Sequence, residues 1–221
     1  MTIESHEQAF VHCEALVRAQ DKDRFLASLF APSPSRRHLF ALYAFNLEMA
    51  RVRVVVREPM AGAIRLQWWR EALLGERPGE AVASPIAAAI ETTLAQTGID
   101  KTPLLDLIEL RRAELFGEPA ISVEPNVFLA AARVLGGQGA NLHAIAESAG
   151  LAYDWSRDPA RQDAARQHYA RFRACERELP KEVLPAFLPV ALVPLCLSQA
   201  DPAQWRRQIA LMRAAWVGFP N

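Results

Sequence analysis

Three cysteines in 221 residues, Cys13, Cys175 and Cys196, lie far apart and are odd in number. They support neither a disulfide framework nor a Cys-based zinc site, which suits a reduced, intracellular protein. Charge of one sign is also lacking. Lys+Arg and Asp+Glu both number 25, so the formal net charge is zero and the basic excess of a nucleic-acid binder is absent. The first residues, Met-Thr-Ile-Glu-Ser-His-Glu, are acidic and have no apolar core, so a signal peptide is not expected. The longest apolar run, Val183 to Leu197, is interrupted by Pro185, Pro189 and Pro194. It falls short of the roughly 20 apolar residues of a membrane span. A buried C-terminal helix is expected there, with docking on a membrane surface or a partner as the other reading.

Motifs are missing as well. No nucleophile elbow, P-loop or dinucleotide fingerprint occurs, and Gly136-Gly137-Gln138-Gly139 reads as a helix-ending loop. His6, His12, His38, His143 and His168 show no metal-ligand spacing, so surface or capping roles are expected of them. There is no internal repeat, and almost no stretch alternates with the period of two that strands require.

What is present points to helices. Alanine occurs 39 times, and apolar residues recur at intervals of three and four, as in Leu39, Leu42, Phe45, Met49 and Val52. Thr102-Pro103 reads as a cap opening a helix from Leu104 to Phe116, and Ser35 as the cap of a helix running toward Arg57. Pro59 and the Gly75–Gly79 stretch bound the next helix. Nine or ten helices in one all-α domain are expected.

Chemistry concentrates between Arg36 and Arg70. Arg36, Arg37, Arg51, Arg53, Arg57, Arg65 and Arg70 stand against Glu48 and Glu58, a local balance of 7 − 2 = +5. The planar guanidinium fork suits diphosphate, although a solvated helix face would look the same. Trp68 and Trp69 are adjacent and point about 100 degrees apart on a helix, so one is expected in the core and the other toward a cavity or partner.

Certain blocks carry a family resemblance. Asp23-Arg24-Phe25-Leu26-Ala27-Ser28-Leu29-Phe30, then Leu39-Phe40-Ala41-Leu42-Tyr43-Ala44-Phe45-Asn46-Leu47-Glu48, Glu58-Pro59-Met60 and Ile64-Arg65-Leu66-Gln67-Trp68-Trp69-Arg70 resemble the N-terminal part of the squalene/phytoene synthase family. The resemblance is closest to the branch that includes a complex I assembly factor. It implies a helical bundle of the class I isoprenoid synthase type. Active members hold Mg²⁺ on two aspartate-rich motifs, and the metal clamps a prenyl diphosphate. Here the acidic positions of the first motif fall on Ala50, Arg51 and Val54. Gly150-Leu151-Ala152-Tyr153 resembles the lead-in to the second, but Asp154 and Asp158 are followed by Pro159, so Asp158 reads as a helix cap. Against the family the chain also looks short near 124–135 and 153–169, which would remove parts that close the cavity against water.

The resemblance therefore implies a non-catalytic relative, a scaffold or respiratory complex I assembly factor. No cofactor is expected, and the location is cytoplasmic or peripheral at the inner membrane. Implied ligands are an isoprenoid or an anionic lipid, met by Arg51, Arg65, Arg70, Tyr43, Trp68 and Trp69. The alternatives are an active head-to-head prenyltransferase, using Mg²⁺ on Glu48, Asp154 and Asp158, and a purely structural helical module without a cavity.

Overall fold

The computed structural model describes residues 3–56, 58–81, 83–119 and 121–219. Arg57, one of the arginines between Arg36 and Arg70, lies outside them. The described residues form α1 (Ile3–Gln20), α2 (Lys22–Ser28), α3 (Ser33–Val55), α4 (Pro59–Leu74), α5 (Pro78–Ala81), α6 (Pro85–Thr97) and α7 (Thr102–Leu115). The second half holds α8 (Glu124–Val134), α9 (Leu142–Trp155), α10 (Gln162–Cys175), α11 (Leu184–Phe187), α12 (Val193–Ser198) and α13 (Gln204–Val217). Nine of these helices have eleven residues or more, and no strand occurs among the described residues.

The central helix is α3. Over His38–Asn46 every side chain is buried, the signature of a helix surrounded on all sides. Leu39, Phe45 and Met49 are fully excluded from water, and each such apolar side chain contributes about 1.5–3 kcal/mol. Helices α1 and α6 flank α3, α4 lies against α7, and α8, α9 and α10 pack in sequence. Helix α13 closes over α2 and the 3₁₀ turn Leu188–Leu192.

Boundaries follow local chemistry, with two shifts. Helix α3 begins at Ser33, after Pro32, so Ser35 sits inside its first turn rather than capping it. Helix α7 begins at Thr102, because the Asp100 carboxylate accepts hydrogen bonds from both the Thr102 amide and hydroxyl at 2.9 Å. Helix α4 opens at Pro59 and stops at Gly75, whose φ of +79° only glycine adopts without strain. Asp158 does cap: its carboxylate accepts from the Ala160 amide at 3.0 Å, starting the 3₁₀ turn Pro159–Arg161 that runs into α10. In the Val183–Leu197 run, Pro185, Pro189 and Pro194 each stand in the first turn of a separate short helical segment. The run is buried over Pro185–Val193, but no described helix is long and apolar enough to cross a membrane.

His38 departs from the surface role expected of it. It is 6% exposed, its Nδ1 is 3.0 Å from the Thr93 hydroxyl on α6, and the Phe10 ring meets it edge-on. Burial, then the neighbouring Arg37 charge, lowers its pKa from 6.5 to about 4. The native state thus keeps His38 neutral while the unfolded chain takes a proton below pH 6.5. Its contribution is complete above that value and is lost as pH falls toward 4. The shift corresponds to about 3 kcal/mol. Urea titrations across this window should show stability falling with acidity, with a shallower slope in His38→Gln; an unchanged slope would assign the loss to other groups.

Candidate functional site

Helix α3 carries the positions of the first metal motif on its last turns. Ala50 is half-buried, Arg51 is exposed and Val54 is 84% exposed. None offers a carboxylate. One turn earlier, Glu48 accepts a hydrogen bond from Arg65 of α4, so its charge already ties α3 to α4. Asp158 is occupied by its cap and by Arg161 at 3.4 Å. Asp154 is half-buried near the end of α9, where its charge bears on Glu124. Among the described residues no group of three or more His, Cys, Asp or Glu side chains could hold a metal ion. Mg²⁺ asks for several hard oxygen ligands on one centre, and this donor set does not fit it.

The arginines disperse. Arg37, Arg51, Arg53 and Arg65 are exposed. Arg36 donates to the Leu29 and Ala31 carbonyls at 3.0 and 3.1 Å. Arg70 faces Glu109 of α7 at 3.6 Å. Trp69 is buried edge-on to Phe45, whereas Trp68 is half-buried and donates its indole N–H to Glu80 at 2.8 Å. Arg65 and Arg70 are thus each paired with an acid, and Tyr43 and Trp69 belong to the core.

Where α2, α3, α8 and α9 meet, the interior is polar, and sequence reasoning missed it. Arg24 of α2 is 5% exposed. Its guanidinium pairs with Asp21 at 2.9 Å and with Glu124, 100 residues away at the start of α8. It lies over the rings of Tyr43 on α3 and Tyr153 on α9, 5.4 and 5.3 Å from their centroids. Arg157 covers Tyr153 at 4.0 Å and donates to its backbone carbonyl at 2.6 Å. The i, i+4 spacing of Tyr153 and Arg157 is a signal the sequence did contain.

Burial and ion pairing act against each other on the titratable groups of this centre. Burial disfavours the Arg24 cation, but Glu124 and Asp21 outweigh it and hold its pKa well above the usual value. Burial raises the Tyr43 and Tyr153 phenols, although Arg24 and Arg157 oppose it, so both stay protonated at neutral pH. Burial also pushes the Glu124 carboxyl up against the pull of Arg24. A general acid or base works best when it titrates near the operating pH, and neither phenol nor the guanidinium does so. The cluster joins four helices as a structural element.

The squalene/phytoene synthase family model matches residues 17–154, a span that runs from α1 through Arg24 and Tyr43 to Asp154. This chain belongs to the squalene/phytoene synthase family. Among relatives of this family member, the NADH dehydrogenase (ubiquinone) complex I assembly factor 6 of Homo sapiens is 30% identical over 104 residues, 47% of this chain and 31% of that protein. The Rattus norvegicus protein of the same name is 31% identical over 105 residues, 48% and 32% of the two chains. The match therefore spans about a third of these relatives' own length. Its fold is that of a solved dehydrosqualene synthase in complex with ligand, at a TM-score of 0.69, with 95% of this chain and 96% of that one covered. At 14% identity that likeness speaks for the fold alone.

Proposed function

We propose that this chain is a non-catalytic member of the squalene/phytoene synthase family that acts as an assembly-factor-like scaffold for respiratory complex I. The observation that carries the reading is the donor set: Ala50, Arg51 and Val54 stand at the first-motif positions, while Glu48, Asp158, Asp21 and Glu124 are engaged by arginines or caps. The names of the mammalian relatives support the complex I side of it. Removing the charge clamp from a diphosphate leaving group forfeits several kcal/mol of transition-state stabilisation, so turnover is not expected.

We also propose the corner between α3 and α4 as the contact for an isoprenoid or anionic lipid head group. Arg51 is exposed there with Val54 and Met60, whereas Arg65 and Arg70 pair with Glu48 and Glu109.

The test incubates the purified full chain with farnesyl or geranylgeranyl diphosphate, with and without Mg²⁺. It is paired with native-gel analysis of complex I in cells lacking the protein. The expected result is no pyrophosphate above the blank and a deficit of assembled complex I that the wild-type chain restores. A Mg²⁺-dependent C30 or C40 product would overturn the non-catalytic reading. Undiminished complex I would overturn the scaffold role.

A further inference from the structure

Helix α13 buries one side and leaves the other bare. Leu211 and Ala214 are buried, and Arg207 reaches inward to the buried Asp23 carboxylate of α2. On the opposite face Trp205, Ile209, Met212 and Trp216 are 57%, 51%, 51% and 83% exposed. Steps of four, three and four residues place them in one line along the helix. A contiguous apolar stripe of this kind on a water-facing surface marks an interaction site.

The charges of α13 say what meets it. Gln204–Val217 contains three arginines and no Asp or Glu. With Arg207 turned inward, Arg206 and Arg213 stand exposed, seven residues apart, along one edge of the stripe. At its Trp216 end the stripe runs into a groove of about 580 Å³ shared with Phe30, Leu184, Arg177 and Lys181. The acid in that groove, Glu176, is paired with Arg173.

We infer that α13 is an interfacial helix that lays Trp205, Ile209, Met212 and Trp216 into the surface of a bilayer containing anionic lipid, with Arg206 and Arg213 on the phosphates. Indole rings at both ends of the stripe sit well at the depth where headgroups meet acyl chains, and a basic edge beside an apolar face is how an in-plane helix binds. Docking of a second copy fits less well. Two α13 faces would bring four exposed arginines together, and the helix offers no acid to pair with them. The inference is independent of the scaffold reading, because an active synthase would dock in the same way.

The experiment is flotation of the purified chain with vesicles of pure phosphatidylcholine or of phosphatidylcholine mixed with phosphatidylglycerol, followed by tryptophan emission. Wild type should float with the mixed vesicles, weaken as salt is raised, and show blue-shifted emission quenched by brominated lipid. Trp205→Gln/Trp216→Gln should lose at least about tenfold in vesicle affinity, and Arg206→Gln/Arg213→Gln should lose the preference for anionic lipid. These side chains are exposed, so circular dichroism should show both variants folded. Absence of flotation by the wild type, or binding that both variants retain, would overturn the inference. So would a concentration-dependent dimer that the tryptophan variant abolishes, which would make the occupant a second copy.

Discussion

Replacing Arg24 with methionine is expected to lower the unfolding free energy by about 3–5 kcal/mol, the usual consequence of removing one partner from a buried ion pair. The guanidinium pairs with Glu124, holds Asp21 at 2.9 Å and lies over two tyrosine rings. Methionine fills much of the volume, so the loss reports charge rather than a cavity. The variant leaves Glu124 and Asp21 facing each other, with the Asp154 charge adding to the repulsion. Adding Glu124→Gln to Arg24→Met should therefore recover part of the loss, giving a coupling energy above about 1 kcal/mol in a double-mutant cycle. The sign with pH is also fixed. Without Arg24 the Glu124 carboxyl rises further above its unfolded value, so the variant should gain stability relative to wild type as pH falls. Urea denaturation followed by circular dichroism measures each quantity, and a loss under about 1 kcal/mol would mean that the cluster is solvated rather than sealed.

Gly150→Ala tests the other close approach at this centre. In an open helix the change is favourable by about 1 kcal/mol, because alanine restricts the unfolded chain and glycine does not. Here a Cβ would meet the backbone N of Pro125 and lie 2.6 Å from the Glu124 carbonyl carbon and 2.7 Å from the Pro125 Cα. Backbone atoms at the head of α8 cannot rotate aside as a side chain can. Overpacking of this kind costs about 1–3 kcal/mol and occasionally more, so a net loss of about 2 kcal/mol is expected. Gly79, in α5, has nothing within 4 Å of its Cβ position and serves as the control; Gly79→Ala should leave the melting temperature unchanged or slightly higher. A neutral or stabilising Gly150→Ala would mean that α8 and α9 stand further apart than described. The glycine also matters to the packing of this centre. It opens the Gly-x-Ala-Tyr segment, and its lack of a side chain lets α9 bring Tyr153 over Arg24.

Much of the helical architecture was legible because it depends on neighbours in sequence. The three-and-four spacing on α3, the Pro59 start and Gly75 stop of α4, and the Asp158 cap are local effects, and the structure has them. The two shifted starts, at Ser33 and Thr102, come from short-range competition. Helix α3 opens at Ser33 with proline in its first turn and no side-chain cap, and the Asp100 carboxylate takes the Thr102 amide and hydroxyl. The divergence of Trp68 and Trp69 follows from helical rotation alone.

The polar centre was not legible. Charge counting drew attention to the run from Arg36 to Arg70, which the structure leaves dispersed over surfaces and separate ion pairs, while Arg24 passed as one residue in a family block. His38 was misread for the same reason, since its Thr93 partner lies 55 residues away on α6. Burial of a charged or titratable side chain depends on what closes over it, and for Arg24 that is Glu124 and Tyr153 on distant helices.

The amino-acid sequence was enough to establish that the chain is helical, that its blocks are those of the squalene/phytoene synthase family, and that Ala50, Arg51 and Val54 bring no carboxylates. These follow from residue identity and spacing, which need no partner. Only in the folded structure does it emerge that Arg24 is sealed under two tyrosines and that Glu48, Asp21, Glu124 and Asp158 are held by arginines and caps. Only there does α13 show one apolar face to water, because exposure is a property of how helices are stacked.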